Sequence, residues 1–565
     1  MNRTLASCVS AAAVVTAACS TNPDRDTSRA DAAEATSECQ PALDQAFGAW
    51  ADSGFSGSVA ISTGGEPDCL AGYGTADQGD DTPNTADTVF SIGSVTKAFT
   101  AAAVLDLVDQ GELSLDDRAG DIVPGLDGPA AEATVQQLLL HTSGLTGAHG
   151  QDHVALDRDA AIAAIGGLEQ AFEPGAKFLY SNAGYTLLAL IVEEVSDTSF
   201  REHVVSRVLT MPDGDVVGGF WDGEPAAPGR RAVGYLEEGT VGESGDFTGP
   251  HWALEGNGGL AMTMRDLALW AQALFAGQLL SADATEAVRT LAFDQGDGTA
   301  EIPGWVAFDA AIYGEPVFTS AGGGGSVGHD VVVAVLPDSE RVVAIASNTS
   351  VVTAEDLLAA VGPALLAGEP LPLPETQGGS VDPDAVAAIA GTYQLDSGGS
   401  FAVAAEDDRL GIAATGTDAV AVLFPLPDAF TTDDVAAHEQ AVRSLLDGAT
   451  QEGRDERASL ESDLGPIDDV ALAGTIVHDG ELRTYVTVTS GQETLALWYA
   501  LDEEGGISAA VADTEPPTLL LVPSDGGGYR PDDPSGASPD LAVSFDDGGM
   551  TVVGPAGTHT ARPAP

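Results

Sequence analysis

Residues 90–97 read Phe90-Ser91-Ile92-Gly93-Ser94-Val95-Thr96-Lys97, and the run onward to Asp109 carries Val95, Ala98, Phe99, Ala102 and Leu105 at helical spacing before Gly111. This periodicity predicts a helix that opens at Ser94 and buries one apolar face. Ser94 and Lys97 stand at i and i+3, on one side and about a turn apart. The start of a helix offers free N–H groups and the positive end of the dipole. A serine there suits covalent catalysis if a neutral amine takes its proton. A lysine can do so only when desolvation or a nearby cation lowers its pKa. The bland alternative is a capping serine and a surface lysine. The chain holds just two lysines, Lys97 and Lys177, so one kept at this spacing calls for a reason.

Further along, Tyr180-Ser181-Asn182 follows Pro174-Gly175 and precedes an apolar stretch that reads as a helix. A tyrosine beside cations can act as a phenolate base or pass a proton to a leaving group. Asn182 can donate to a substrate carbonyl and hold Lys97. The alternative is a core tyrosine and a helix-capping asparagine. His141 reads as a structural, hydrogen-bonded histidine. His149, Asp152 and His153 lie close in sequence, but no metal-ligand spacing connects them, so neither metal nor cofactor is expected. The glycine run at 322–325 opens a strand rather than a helix, so it does not cradle phosphates.

The 565 residues are enough for roughly two or three domains, and 44% hydrophobic content permits a large core. With 21 basic and 87 acidic residues the net charge is −66. Phosphate backbones would be repelled, which excludes nucleic acid as the main partner, and no polybasic face exists for anionic membranes. The expected partner is a small-molecule or peptide substrate.

The start, with Arg3 and the small apolar run from Leu5 to Ala18, reads as a secretory signal over residues 1–19. Thr16-Ala17-Ala18-Cys19 resembles a lipobox, making Cys19 the expected lipidation site and the lipid the sole membrane contact; ordinary cleavage nearby is the alternative. With Cys8 removed and Cys19 lipidated, Cys39 and Cys69 are left to pair as a disulfide in an oxidising compartment, or to remain as two thiols.

Residues 20–38 read as a flexible tether. A globular region follows over 39–368, with strand-like runs at 56–61, 331–336 and 341–346 and helices between them, among them Thr134-capped 135–141 and Thr263-capped 263–276. This pattern predicts an α+β fold: an antiparallel sheet flanked by helices, with a helical subdomain. Residues 369–380 are a Pro/Gly-rich linker. Residues 381–565 alternate short strands with Gly and Asp turns and predict a small antiparallel β-barrel, with a polar helical insert inside 432–463.

Four segments together resemble the beta-lactamase-related serine hydrolases: Phe90 to Lys97, Leu138-Leu139-Leu140-His141-Thr142-Ser143-Gly144-Leu145, Tyr180-Ser181-Asn182, and Gly258-Gly259-Leu260 with Thr263 and Asp266. That family includes class C beta-lactamases, DD-carboxypeptidases, D-aminopeptidases and family VIII esterases. The tail looks like the lipocalin-like extension of some members. The resemblance implies Ser94 as acylated nucleophile, Lys97 and Tyr180 as the proton-handling pair and Asn182 as a substrate-positioning residue. It also implies an oxyanion site made by the Ser94 N–H and a second N–H near Gly325. The family carries Lys or His, a small residue and Gly before its last core strands. Here the text is Ser320-Ala321-Gly322-Gly323-Gly324-Gly325. Register set from Gly324-Gly325 puts Gly322 in the cation's place; the other register is Ser320-Ala321-Gly322. Either way the cation is missing, with His329 or His251 as conceivable substitutes. The expectation is therefore an exported hydrolase of an ester or amide bond rather than an efficient beta-lactamase, with a DD-carboxypeptidase, D-aminopeptidase or beta-lactamase acting on cell-wall-type peptides as one rival and a silent ligand-binding protein as the rival of another class.

Overall fold

A computed structural model describes residues 38–564, apart from 237–239, 243–246, 297, 324–326, 375–380, 382, 407–408, 428–429, 479–480, 492, 502–505, 513, 515, 525–526, 534–540 and 547–548. The lipobox, Cys19 and most of the tether lie outside the described residues.

Eight antiparallel strands form the central sheet. In spatial order they are Phe293–Asp294, Thr299–Ile302, Trp305–Phe308, Val317–Gly323, Asp330–Leu336, Arg341–Ser347, Gly57–Thr63 and Glu66–Tyr73. The chain's first strands thus close onto its last core strand, with Gly57 opposite Ser347 and Thr63 opposite Arg341. Asp330–Leu336 is buried at every position, because helices cover both faces of the sheet there. On one face pack Pro41–Asp52 and Ala354–Ala367, through Phe47, Trp50, Leu357 and Val361. On the other lies the larger core, in which Phe99 and Trp270 stack at 3.6 Å. Cys39 and Cys69 are disulfide-bonded, which ties the first helix to the strand Glu66–Tyr73.

In the helix Thr96–Asp109 the expected apolar face is buried and burial extends further, to all of Thr96 to Leu105 and to Leu107, while Asp109 at its end is exposed. It packs against the helices Asn182–Ser196 and Ala282–Thr290 and the turn Val204–Val208, which together enclose it. Small residues, Ala98 and Ala101 to Ala103, let those neighbours close in. The two predicted caps are present. Thr134 makes a capping box with Gln137, and the Thr263 hydroxyl accepts from the Asp266 N–H at the start of Met264–Phe275.

The tail contains a closed barrel of eight strands, from Gly391–Leu395 to Gly557–Pro563, with its own core around Phe401, Leu410 and Val543. The helical insert is two helices, Thr432–Leu446 and Gln451–Leu464. They pack on a separate four-stranded sheet, Asp469–His478 to Ile507–Ala512, which the sequence pattern did not distinguish from the barrel. Among the described residues no helix is long and apolar enough to cross a membrane.

Candidate active site

Thr88–Ser91 pairs with Leu260–Met262, Ser91 opposite Ala261, and delivers the chain to a single 3-10 turn, Gly93–Val95, that continues into the helix Thr96–Asp109. Ser94 sits on that turn. Its neighbour Gly93 has φ +47°, and a Cβ there would lie 2.5 Å from Gly323 N; a Cβ on Gly322 would lie 2.2 Å from Ser94 N. Glycine is required at both places because two backbones touch. This contact bears on the register left open by the sequence. Gly324 and Gly325, expected to supply the second oxyanion donor, lie outside the described residues; the segment against Ser94 is Gly322 and Gly323. In the register Ser320-Ala321-Gly322 the counterpart of the family's cation is Ser320, which is buried on the same side of its strand as Gly322.

Lys97 Nζ lies 3.0 Å from Ser94 Oγ, 2.8 Å from Asn182 Oδ1 and 3.0 Å from the Asn257 carbonyl oxygen. Two carbonyl acceptors satisfy the two N–H bonds of a neutral amine and leave its lone pair for the serine hydroxyl. Burial pushes Lys97 down to about 7, with Asp152 and Glu301 pulling the other way. The Tyr180 hydroxyl donates to Ser94 Oγ at 2.7 Å, and Lys97 Nζ stands 4.7 Å from the centre of its ring. The residue as a whole stays 47% exposed, yet enclosure of its hydroxyl end pushes the phenol up to about 12. In this arrangement the Tyr180 hydroxyl is poised as a donor to Ser94 Oγ.

The anchors of this cluster are local. Ser181 caps the helix Asn182–Ser196 through the Gly184 N–H, which fixes Asn182 on the first turn. Behind Lys97, the Asn257 amide donates to Thr186 Oγ1 and the Ala253 carbonyl, both at 2.7 Å, and Thr100 Oγ1 donates to the Gly256 carbonyl at 2.8 Å. Asn257 acts through its backbone, to which any residue type could contribute, so no sequence signal marked it. Lys177 is exposed.

The histidines do not replace the missing cation. His329 is buried beside the rings of Phe90 and Trp221, and burial pushes it down to about 4. His251 is spent on the loop, its Nδ1 accepting from the Leu156 N–H and its Nε2 on the Asp152 carbonyl. His149 Nε2 lies 3.3 Å from the Trp252 carbonyl oxygen. Among the described residues no three His, Cys, Asp or Glu side chains are placed to hold a metal. A cavity of about 310 Å³ opens beside Tyr180, bordered by Thr146, Asp152, Leu179, Asn182 and Ala253.

A serine between a buried amine and a phenol, on a helix under an antiparallel sheet, defines a serine hydrolase. The Beta-lactamase family model matches residues 45–366, and the chain belongs to that family. Penicillin-binding protein 4* of Bacillus subtilis (strain 168) is 25% identical over 380 residues, covering 63% of this chain and 83% of its own. Penicillin-binding protein 4 of Amycolatopsis lactamdurans is 38% identical over 136 residues, 22% of this chain and 35% of that one. The octameric penicillin-binding protein homologue from Pyrococcus abyssi shares the fold, with TM-score 0.51 and 22% identity, over 85% of this chain and 99% of that one.

Proposed function

We propose that the protein hydrolyses an ester or amide through an acyl-enzyme on Ser94, with preference for substrates that lack a carboxylate next to the scissile carbonyl. The observation that carries the reading is Ser94 Oγ held 3.0 Å from a desolvated Lys97 amine and 2.7 Å from the Tyr180 hydroxyl. Lys97 takes the serine proton as Oγ attacks the carbonyl carbon. The carbonyl oxygen gathers negative charge toward the N–H groups of Ser94 and Gly323. Tyr180 gives a proton to the leaving oxygen or nitrogen, and the proton on Lys97 restores the phenol. Water then attacks the acyl carbon by the same route in reverse. The neutral Ser320 and the neutral His329 favour an uncharged substrate flank, because a charge-assisted partner for a carboxylate is missing. Export is part of the proposal. The Cys39–Cys69 bond supports an oxidising compartment, and Cys19 in its lipobox supports a lipid anchor.

The test is a panel of short-chain p-nitrophenyl esters, a fluorescent penicillin and a peptide ending in D-Ala-D-Ala. Ester turnover should exceed acylation by the carboxylate-bearing penicillin by roughly tenfold or more, the worth of one charge-assisted hydrogen bond. Ser94→Ala should abolish the turnover. Turnover retained in Ser94→Ala contradicts the reading. The names of the relatives favour a second reading, a penicillin-reactive peptidase, and faster reaction with penicillin or the peptide than with every ester would establish it instead.

A further inference from the structure

A buried ion pair lies beneath the site and takes no part in the acylation chemistry. Arg201, on the short helix Phe200–His203, is 6% exposed, and Glu255, in the turn before Asn257, is 1% exposed. Arg201 Nε lies 3.1 Å from both carboxylate oxygens of Glu255, and Nη2 donates to Oε1 as well. Nη1 donates to the Asp222 carbonyl at 2.7 Å and to the Glu224 carbonyl at 3.2 Å, and the guanidinium lies 4.2 Å from the centre of the Phe220 ring. Burying two ions costs desolvation that their attraction only roughly offsets, and apolar residues of similar volume often serve stability as well. What the planar fork adds is direction, since it holds a turn and a loop in one fixed relation. That turn is the one that orients Lys97. The Asn257 carbonyl that accepts from Lys97 Nζ shares a peptide unit with the Gly258 N–H, which donates to the Leu254 carbonyl at 3.0 Å. A peptide unit is planar, so the direction of its N–H sets the direction of its C=O. The Leu254 carbonyl in turn shares a peptide unit with the Glu255 N–H, which donates to the His251 carbonyl at 3.0 Å. One hydrogen bond therefore separates the peptide unit that ends at Glu255 from the one that faces Lys97. Gly256, between them, has φ +83°, and a Cβ there would lie 2.6 Å from the Tyr185 carbonyl oxygen, so the turn is seated directly on the helix Asn182–Ser196.

From these contacts we propose that Arg201 and Glu255 are positioning residues for the hydrolase: their ion pair sets the turn 253–259 so that the Asn257 carbonyl holds the Lys97 amine with its lone pair on Ser94. The proposal rests on Ser94 being the nucleophile that Lys97 activates. The pair works through the backbone at both ends of the turn. Arg201 grips Glu255 at one end. At the other, the loop that Nη1 holds follows directly on Trp221, whose N–H donates to the Gly259 carbonyl at 2.9 Å. With the fork gone, Lys97 keeps its bond to Asn182 Oδ1 at 2.8 Å but loses a fixed second acceptor. Its amine then turns about its terminal bond, and the lone pair points at the serine hydroxyl for a smaller share of the time. The loss falls on the chemical step rather than on substrate binding.

The experiment counts active sites with a saturating fluorophosphonate and measures kcat per labelled site and KM for a p-nitrophenyl ester, beside Tm. It compares wild type with Glu255→Gln, Arg201→Lys and the double variant Arg201→Met with Glu255→Met. The double variant is neutral where the wild-type pair sums to zero, so it removes the fork without leaving a bare charge. The expected result is kcat per labelled site lowered by roughly 10 to 10² in Glu255→Gln and in the double variant, with KM little changed. Arg201→Lys, which keeps the charge but not the fork, should lose less. The double variant is read alone if Glu255→Gln does not fold. A pair that merely supports the fold would lower Tm and the number of labelled sites while each remaining site kept the wild-type kcat; that outcome overturns the proposal and leaves Ser94 as nucleophile. Wild-type protein that is not labelled at Ser94 overturns the functional reading, and this proposal with it.

Discussion

Lys97 carries the chemistry because of where it is buried rather than because it is a lysine. In water its amine would be protonated and useless as a base; held at about 7 by burial, it is free at mildly alkaline pH. The hydrolysis rate should therefore fall as pH drops below about 7, following loss of the free amine. A flat profile between about pH 5 and 8 would contradict this assignment. Tyr180→Phe keeps the ring on His141 but removes the donor to Ser94, and should lower kcat by about 10²–10⁴ with little change in KM. Ser320→Lys should raise acylation by a carboxylate-bearing penicillin roughly tenfold, read against an unchanged ester. Ser94, Lys97, Tyr180 and Asn182 were legible because their types and spacings are chemically restrictive. The Asn257 carbonyl was not, because a backbone atom leaves no mark in the residue type.

At the scale of elements, the contact between the turn Gly93–Val95 and the strand Val317–Gly323 aligns the site. Gly322→Ala would drive a Cβ to 2.2 Å from Ser94 N, so the strand must move away. Fluorophosphonate labelling should drop by about 10² while thermal stability falls modestly; undiminished labelling would show the close approach to be dispensable. Strand positions were readable from the Val- and Ala-rich runs, whose bounds shifted by a residue or two. The apolar face of the helix Thr96–Asp109 was legible; the burial of the rest of Thr96 to Leu105 was not, because it comes from the helices Asn182–Ser196 and Ala282–Thr290 packing against it. The register of the glycine run could not be read from sequence, since four successive glycines carry no side-chain pattern; the described contact with Ser94 is made by Gly322 and Gly323. The Cys39–Cys69 bond spans 30 residues, and Cys69→Ser should cost about 3 kcal/mol in unfolding free energy.

For the molecule as a whole, charge and buried acids act in the same direction. Burial raises Glu301 to about 8 and Asp330 to about 7, so the folded protein holds protons that the unfolded chain sheds near pH 4. Stability therefore falls as pH rises through that window. Lys97 acts in the opposite sense above about 7, and the histidines that burial pushes down, His141 and His329 among them, do so at lower pH. The self-repulsion of a net charge of −66 also grows with pH. Added salt should raise Tm at neutral pH by screening the acid excess; a Tm that salt lowers would contradict that self-repulsion. The barrel and its helical insert were legible as a class of structure. Their division into two sheets was not, because alternation marks a strand but not its partners.

The most direct test of the central claim is mass spectrometry of the protein after reaction with a fluorophosphonate, with peptide mapping of the adduct. A single adduct on Ser94, lost in Lys97→Met although that variant remains folded, is the predicted result. An adduct on another residue, or undiminished labelling of Ser94 in Lys97→Met, would contradict it.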